Sequence, residues 1–288
     1  MKSYMDMLRV SQYTKNLFIF LPLFFALEMH EIHRLLALTL AFLAFSLLAS
    51  AVYIFNDLLD IEEDRRHPRK KHRPLASGSI SRRAAIVWMI ILLGLGGVTA
   101  WCLDYRMFLL CAAYIAINIA YSLKLKHIAI VDIMIIAAFF VIRIYVGGVI
   151  GEVPVYMWIV IMTFLLALFL ALGKRRDDML IFQQTSEMPR KSIDGYNLRF
   201  IDTSMMIMAA VILVAYLMYT ISPEIMAKFK TDKLYITAFF VLLGVLRYLQ
   251  ITLLDENSGH PAEILLKDRI LLIAIVAWIV SFFLLVYL

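Results

Sequence analysis

An acidic segment directly behind an apolar run carries the residues whose types and spacing could perform chemistry. Asn56, Asp57, Asp60 and Asp64 follow the apolar run 35–55. A dense basic cluster comes next and consists of Arg65, Arg66, Arg69, Lys70, Lys71 and Arg73. Acids beside lipid are costly unless they bind something, carboxylate oxygens suit Mg²⁺, and cations suit phosphate. The pattern predicts a membrane enzyme whose polar substrate carries a diphosphate.

Helical geometry gives Asp60 a central position if the apolar helix continues through this segment. Tyr53, Asn56 and Asp60 would then share one face. Asp57, Asp60 and Asp64 would form a second, overlapping stripe, so Asp60 is the predicted centre of a magnesium site. Asn56 would add a carbonyl oxygen without adding charge. The alternative is a solvated helix end with internal salt bridges to the arginines that follow.

The composition indicates an integral membrane protein. Of the 288 residues, 63% are hydrophobic and only 17% are charged, whereas soluble domains are nearer half apolar and a quarter charged. The charged segment 1–10 is followed by no small-residue cleavage site, so a cleaved signal peptide is not expected. Cys102 and Cys111 lie in or beside apolar runs and are expected to be buried hydrophobes rather than a disulfide.

Apolar stretches of the length needed to cross a bilayer recur along the chain. Nine are predicted, at about 14–29, 35–56, 84–103, 106–123, 128–150, 155–173, 203–221, 233–252 and 269–287. The first is the weakest because it is short and contains Pro22. We therefore expect an all-α polytopic membrane bundle of nine transmembrane helices, with residues 1–288 forming a single transmembrane domain.

The positive charges are distributed unequally between the two predicted sides of the membrane. The side of the N-terminus carries 22 of the 28 lysines and arginines, and the opposite side carries five. We expect the protein in the cell inner membrane. The positive-inside rule places its N-terminus on the cytoplasmic side and, with nine spans, its C-terminus on the outside. The two long cytoplasmic loops, 57–83 and 174–202, are the predicted active-site loops.

Several motifs carry a resemblance to a known family. The run Asn-Asp-x-x-Asp-x-x-x-Asp at 56–64 resembles the first aspartate motif of the UbiA superfamily of intramembrane prenyltransferases. Segment 11–16 is similar to the amphipathic entry segment of this superfamily, and segments 50–57 and 67–78 are similar to its decaprenyl-phosphate phosphoribosyltransferase branch in particular. Further similar segments lie at 173–175, 190–193, 198–200, 261–264 and 267–269, so the resemblance covers nearly the whole chain.

This resemblance implies a reaction and a set of ligands. The expected reaction is Mg²⁺-dependent transfer of 5-phosphoribosyl from phosphoribosyl pyrophosphate to a polyprenyl phosphate lipid, with release of pyrophosphate. Asn56 and Asp60 would bind Mg²⁺, and Asp57 and Asp64 would support it directly or through water. The partners are these two substrates and the membrane, and no nucleic acid is expected.

Cations close to the aspartates are the candidate substrate ligands. The resemblance implies that Lys15 and Tyr53 contact the phosphoribosyl donor, although Lys15 could equally be an interfacial snorkelling lysine. Lys70 lies six residues beyond the acidic segment, where the chain can fold back over the site. Lys71 and Arg73 are alternatives to it, and positive-inside topology alone explains much of this cluster.

Two further cations flank or enter the fifth predicted span. Lys126 and Arg143 are seventeen residues apart, so on one ideal helix they would point about 100° from each other. An arginine within a span usually faces an interior or an aqueous cavity, where its fork suits phosphate. The alternative is a structural pair between Arg143 and Asp132. By resemblance, Lys126 and Arg143 would hold the phosphate of the lipid or of the ribose.

The second long loop contributes four more candidate substrate-binding residues. Lys174 and Asp178 resemble family positions, but they could form internal helix salt bridges, with Arg175 as a second possible partner of Asp178. Arg190 and Lys191 precede a serine and resemble a phosphate-gripping turn, for which a plain solvated loop is the alternative.

Two other functions remain open at this point. A quinone-type prenyltransferase of the same fold would use a prenyl diphosphate and an aromatic acceptor. Such enzymes carry a second Asp-x-x-x-Asp in the loop that corresponds to 174–202, whereas this chain has adjacent Asp177 and Asp178 among cations there. An anionic solute transporter is the second alternative, but transport does not require the spacing of the acidic segment.

Overall fold

Every regular element that the structure describes is a helix. The computed structural model describes residues 2–66, 70–185, 191–254, 264 and 267–287, and no strand occurs within these ranges. The predicted all-α class is therefore confirmed.

The elements follow one another in a simple order, with long apolar helices joined by short turns. The α-helices are α1 (Lys2–Leu8), α2 (Leu21–Ala26), α3 (Ile32–Leu59), α4 (Ile61–Arg66), α5 (Arg82–Leu103), α6 (Tyr105–Leu123), α7 (Val131–Gly151), α8 (Met157–Thr185), α9 (Leu198–Thr220), α10 (Pro223–Phe229), α11 (Ala238–Leu253) and α12 (Arg269–Tyr287). The 3-10 helices are Val10–Phe20, Lys70–His72, Leu125–His127, Lys191–Gly195 and Leu234–Thr237.

Eight helices in the described part of the chain are long and apolar enough to cross a membrane. They are α3, α5, α6, α7, α8, α9, α12 and the continuous run Leu234–Leu253. The predicted first span, 14–29, instead forms the 3-10 helix Val10–Phe20 and the six-residue α2. Pro22 occupies the first turn of α2, where its missing N–H costs nothing, and so begins a new helix. The count of nine spans is not confirmed, and the location of the C-terminus stays a prediction.

The two polar segments differ in part from the loops predicted for them. Helix α3 continues past the predicted end at 56 to Leu59, and the chain leaves helical geometry at Asp60 before α4 begins. Helix α8 runs twelve residues beyond the predicted end at 173, so the beginning of the expected loop 174–202 is helical. Good helix formers fill this extension, and no proline or glycine interrupts it before Pro189.

The chain divides into two compact units. The first contains residues 1–126 and 138–160, and the second contains residues 127–137 and 161–288. In the first unit, buried Ala51, Ile54, Ala85 and Leu92 pack α3 against α5. In the second unit, the core lies among α8, α9, α11 and α12, and its largest members include Phe169, Met205 and Tyr248. Helix α7 contributes residues to both units.

A glycine allows the 3-10 helix Val10–Phe20 to approach α7 closely. A Cβ atom at Gly147 would lie 2.0 Å from the carbonyl oxygen of Ile19 and 3.1 Å from the ring of Pro22. The first of these is a backbone atom and cannot move aside as a flexible side chain could. Because only a residue without a side chain fits here, Gly147 fixes the position of the segment that carries Lys15 and Asn16.

We expect Gly147→Ala to destabilise the protein by about 1–3 kcal/mol because the added methyl overlaps the Ile19 backbone. Gly97→Ala is the matched control, since a Cβ atom there would meet no atom within 4 Å. The apparent melting midpoint in detergent measures both variants. A Gly147→Ala midpoint equal to that of Gly97→Ala would show that the approach of the two segments is not close.

Candidate active site

In the first unit, the aspartates of the acidic segment are bound by cations distant in sequence. One carboxylate oxygen of Asp57 accepts hydrogen bonds from Arg9 at 2.5 Å and from Arg73 at 3.1 Å. The same Arg73 nitrogen donates to Asp64 at 2.7 Å. Arg73 therefore bridges two of the three aspartates, and Arg9 ties the N-terminal segment to the end of α3.

Asp60 has its own pair of contacts. The Lys126 ammonium group lies 2.6 Å from one carboxylate oxygen, and the Asn56 amide nitrogen donates to the other at 3.1 Å. Lys126 lies in the 3-10 turn Leu125–His127 ahead of α7, so the helical phase of α7 does not set its direction. Asn56, Asp60 and Lys126 thus lie together in the first unit.

Burial makes these pairings necessary. Asp57 and Asp64 are each only 3% exposed. An isolated buried carboxylate is strongly disfavoured, so each needs a cation close by. Arg65, a partner in the alternative of a solvated helix end, instead binds Glu62 and the carbonyl of Ala76. The aspartates are therefore part of a packed site, in which three acids balance Arg9, Arg73 and Lys126 in charge.

The donor set of this site fits a magnesium ion that its substrate helps to bind. No group of three His, Cys, Asp or Glu side chains converges on one metal position among the residues that the structure describes. The side chains of Asn56 and Asp60 do lie together, however, with the Asn56 amide nitrogen turned toward the carboxylate, so rotation of the amide would bring its oxygen to a metal bound by Asp60. Mg²⁺ usually takes one or two protein carboxylates and completes its shell with substrate phosphate oxygens and water.

Tyr53 and Lys15 lie beside these ion pairs. The Arg9 guanidinium stacks over the Tyr53 ring at 4.8 Å from its centre, and the Lys15 charge is close enough to interact with the Tyr53 hydroxyl. Lys15 forms no ion pair with any residue that the structure describes. It therefore brings a positive charge to Tyr53 that no carboxylate of those residues neutralises.

Arg143 is buried, and no carboxylate among the residues that the structure describes is its partner. It is 3% exposed and donates to the Asn16 side chain at 2.8 Å and to the Phe139 carbonyl at 2.6 Å. Its guanidinium carbon also lies 4.9–5.4 Å from the ring centres of Phe45, Tyr114 and Phe140. Its hydrogen-bond and ion-pair partners within the described ranges do not include Asp132, so the alternative of an Arg143–Asp132 pair is wrong.

Asn16 links Arg143 to α3. The Asn16 amide donates to the Ser46 hydroxyl at 2.8 Å while its oxygen accepts from Arg143. Nearby, the Tyr13 hydroxyl contacts Ser50 at 2.9 Å. These bonds hold the polar 3-10 helix Val10–Phe20 within the first unit.

A second polar cluster lies in the second unit and surrounds Arg175. The Arg175 side chain is fully buried, lies 3.4 Å from Asp132 and hydrogen-bonds Asp178 on its own helix. The Tyr196 hydroxyl donates to Asp132 at 2.7 Å and accepts from the backbone N–H of Ile130 at 2.6 Å. Burial and the Asp132 hydrogen bond raise the pKa of Tyr196, which keeps its hydroxyl protonated and able to donate.

The remaining predicted site residues are Lys70, Lys174, Asp178, Arg190 and Lys191. Asp178 forms the internal helix pair foreseen as an alternative, with Arg175, and Lys174 is half-buried on the same helix. Lys191 begins the turn Lys191–Gly195, while Arg190 lies outside the described residues. Lys70 lies half-buried in the turn Lys70–His72.

Two groups of site residues were missed by the sequence reasoning. The sequence offers Arg73 only as an alternative to Lys70, and it gives Arg9 no role beyond the positive charge of the N-terminal side. Arg9 and Asp57 are 48 residues apart, and no sequence period connects them. Likewise, Asp132 and Arg175 come from different helices, although Arg175 does stand within one of the family-like motifs. Apart from that motif, the available signal is the high density of charge in an otherwise apolar chain.

Known proteins are similar to this chain in both sequence and fold. The UbiA prenyltransferase family profile matches residues 16–267. The decaprenyl-phosphate phosphoribosyltransferase of Mycolicibacterium smegmatis is 32% identical over 84% of this chain and 77% of its own length. That of Mycobacterium tuberculosis strain H37Rv is 30% identical over 84% and 79%, respectively. A UbiA homologue from Archaeoglobus fulgidus, solved with DMAPP and Mg²⁺, has a TM-score of 0.74 at 19% identity and covers 99% of this chain and 100% of its own.

The second polar cluster generates a stability prediction. Tyr196→Phe removes the donor to buried Asp132 and the acceptor of the Ile130 N–H, so we expect a loss of about 1–3 kcal/mol of unfolding free energy. Tyr235→Phe is the control, because Tyr235 is 52% exposed. Apparent melting midpoints in detergent compare the two, and equal midpoints would contradict a stabilising role for the Tyr196 hydroxyl.

Proposed function

Because the chain belongs to the UbiA prenyltransferase family, we propose that it transfers 5-phosphoribosyl from phosphoribosyl pyrophosphate to a polyprenyl phosphate and releases pyrophosphate. Two of its relatives are named decaprenyl-phosphate phosphoribosyltransferase and align with more than four fifths of the chain. The enzyme is a multi-pass membrane protein. Its positively charged side, which carries the acidic segment, is proposed to face the cytoplasm from the inner membrane.

The observation that carries the proposal is the pairing of Asp60 with Lys126, next to Asn56. The Asp60 carboxylate, a ligand for a metal, lies 2.6 Å from the Lys126 ammonium group, a cation for phosphate, and the Asn56 amide is next to it. Phosphoribosyl pyrophosphate requires both kinds of group, because it carries a diphosphate at C1 and a phosphate at C5. The adjoining Arg9–Asp57–Arg73–Asp64 pairs add further groups of the same two kinds.

Asn56 and Asp60 would hold Mg²⁺, with Asp57 and Asp64 supporting it directly or through water. When bound, the ion would stabilise negative charge that develops on the departing pyrophosphate. Lys126 would bind a phosphate oxygen beside Asp60. Lys15, which pairs with no carboxylate of the described residues, and the neighbouring Tyr53 would contact the same donor, together with Lys70.

Transfer needs no general base in this scheme. An oxygen of the lipid phosphate, which is already anionic, attacks C1 of the ribose. The bond between C1 and the pyrophosphate oxygen breaks, and pyrophosphate leaves with the electron pair. Attack from the face opposite the leaving group converts the α-linked donor into a β-linked product. The task of the protein is to orient the two anionic substrates and to offset their mutual repulsion.

The other cations are proposed to act on the remaining phosphates. No carboxylate among the described residues pairs with Arg143, so no ion pair there offsets its charge. It would help hold the phosphate of the lipid or of the ribose. Lys174, Arg190 and Lys191 would act on substrate from the second long polar segment. Asp178, which is bound to Arg175, would orient that arginine.

A prenyl diphosphate is the competing donor. The Archaeoglobus fulgidus homologue was solved with DMAPP and Mg²⁺ and, in another structure, with GPP and Mg²⁺. The proteins in those structures are about 20% identical to this chain, so the likeness supports the fold and does not identify the substrate. The segment 174–202 lacks the Asp-x-x-x-Asp spacing that a second diphosphate-bound metal would use, which favours the phosphoribosyl donor.

The function can be tested with purified protein in detergent, Mg²⁺, labelled phosphoribosyl pyrophosphate and a polyprenyl phosphate. We expect label to enter the lipid phase and to be abolished by a chelator. Asp60→Ala should reduce the rate by about 100-fold or more, because a metal ligand is lost. Asp232→Ala, at an exposed position outside the site, is the matched control.

The same preparation distinguishes the alternatives. Label in the lipid would exclude a pure transporter, and a β-configured product is expected from direct displacement. If lipid labelling is absent while a prenyl diphosphate and an aromatic acceptor give product, the phosphoribosyl donor assignment is wrong.

Lys126 and Lys124 offer a second comparison with closely matched substitutions. Lys126→Gln removes the cation beside Asp60, whereas Lys124→Gln removes an exposed charge two residues away. We expect Lys126→Gln to lower kcat/KM for phosphoribosyl pyrophosphate by at least about tenfold, which corresponds to ~1.4 kcal/mol. Lys124→Gln should change it less than about twofold. Steady-state kinetics with varied donor measure both, and equal effects would remove Lys126 from the site.

A further inference from the structure

Arg73 and Arg9 occupy carboxylate oxygens that a metal ion would also need. Arg73 spans Asp57 and Asp64 with one nitrogen, at 3.1 and 2.7 Å, and Arg9 meets Arg73 on the same Asp57 oxygen at 2.5 Å. A guanidinium donor and a metal ion cannot both use the same lone pair of an oxygen. Whatever binds these aspartates in catalysis must therefore compete with two arginines.

The charge of the cluster makes this competition dependent on an anion. Asp57, Asp60 and Asp64 are balanced by Arg9, Arg73 and Lys126, so these six side chains sum to no net charge. A divalent cation added alone would leave two uncompensated positive charges in a partly buried site. A diphosphate brings at least two negative charges and removes that excess. Electrostatics thus couples the binding of the cation to the binding of the diphosphate.

The arginines are the partners that can move. Asp57 and Asp64 are buried at 3% exposure on helices α3 and α4. The side chains of Arg9 and Arg73 remain 21% and 28% exposed, and both residues lie outside the long helices. A long exposed guanidinium can change partner by rotating its side chain, whereas the aspartates are fixed by the helices that carry them.

Guanidinium groups are also well suited to the second partner. A planar fork of donors matches a phosphate as well as a carboxylate, and either contact is charge-assisted. An arginine released from Asp57 or Asp64 would therefore find an equivalent partner in the diphosphate that arrives with the metal.

We propose that Arg73 and Arg9 are exchange residues. They hold Asp57 and Asp64 in the absence of the divalent cation, and they transfer to the diphosphate when cation and diphosphate bind together. The enzyme then binds the cation weakly by itself and strongly with its donor, which guards against a metal-loaded site without substrate. This inference rests on the proposed function, since it assumes that these aspartates bind a metal–diphosphate substrate.

Metal binding by the full-length protein in detergent tests the exchange without requiring turnover. Equilibrium dialysis with radioactive Mn²⁺ measures binding with and without inorganic pyrophosphate, with correction for the Mn²⁺–pyrophosphate complex in solution. For the wild type, we expect pyrophosphate to tighten Mn²⁺ binding by about 5–150-fold, the usual range of coupling between two sites.

Arg73→Gln separates exchange from a purely structural role. Loss of the competing guanidinium should tighten the binding of Mn²⁺ alone by about tenfold, and the loss of a phosphate ligand should shrink the pyrophosphate enhancement by at least fivefold. Mn²⁺ alone should also raise the melting midpoint of Arg73→Gln more than that of the wild type, because the metal replaces the missing counter-charge. Arg83→Gln, an exposed arginine at the start of α5, is the matched control and should behave as the wild type.

Weaker or unchanged Mn²⁺ binding by Arg73→Gln, with no added stabilisation by the metal, would overturn the exchange. Arg9→Gln supplies an independent measurement if Arg73→Gln does not fold, with the same two expectations. The transfer assay distinguishes failure of the exchange from failure of the proposed function. A wild type that labels lipid while Arg73→Gln fails to tighten Mn²⁺ binding contradicts only the exchange. A wild type that neither binds Mn²⁺ with pyrophosphate nor labels lipid contradicts the proposed function as well.

Discussion

The neutralisation of buried carboxylates at the end of a membrane-spanning helix is the interaction on which the first unit depends. Asp57 and Asp64 lie where neither water nor lipid can stabilise their charge. Their cations come from the segment before the 3-10 helix Val10–Phe20 and from the chain that follows α4. One electrostatic requirement therefore brings together distant parts of the chain. Hydrophobic packing alone would not determine their relative positions, because apolar helix faces can pack in many registers.

The same requirement shapes the second unit, with a different solution. Arg175 is fully buried and is balanced by Asp132 and Asp178, and Tyr196 then satisfies Asp132 and the Ile130 backbone. Here the arginine is in the centre and the acids surround it, whereas in the first unit the acids are enclosed by cations. Breaking either arrangement would leave an uncompensated buried charge, so both clusters constrain the helices that carry them.

Hydropathy predicted the long helices because a helix that crosses a membrane must be apolar over its whole length. Eight of the nine expected stretches form such helices. The exception is the stretch around Pro22, where the proline begins a new helix and the polar side chain of Asn16 bonds to Ser46. Helical spacing also predicted that Asn56 and Asp60 would be neighbours. It could not predict the pairing of Arg9 with Asp57, since a tertiary contact decides which of many cations reaches a given acid.

The distribution of unpaired charge bears on which donor such a site would favour. Among the described residues of the first unit, Lys15 and Arg143 have no carboxylate partner, in addition to the three cations that balance the aspartates. A prenyl diphosphate offers anionic groups at one end only, and its remainder is apolar. A phosphoribosyl donor offers a further phosphate at C5, and the acceptor lipid offers another. An unneutralised cation is costly to maintain where it is buried, as Arg143 is, whereas Lys15 is half-buried. The proposed phosphoribosyl donor would reduce this cost, because it carries a phosphate beyond the diphosphate. The fold alone would not make this distinction, since related folds accommodate different chemistry through the groups placed in their sites.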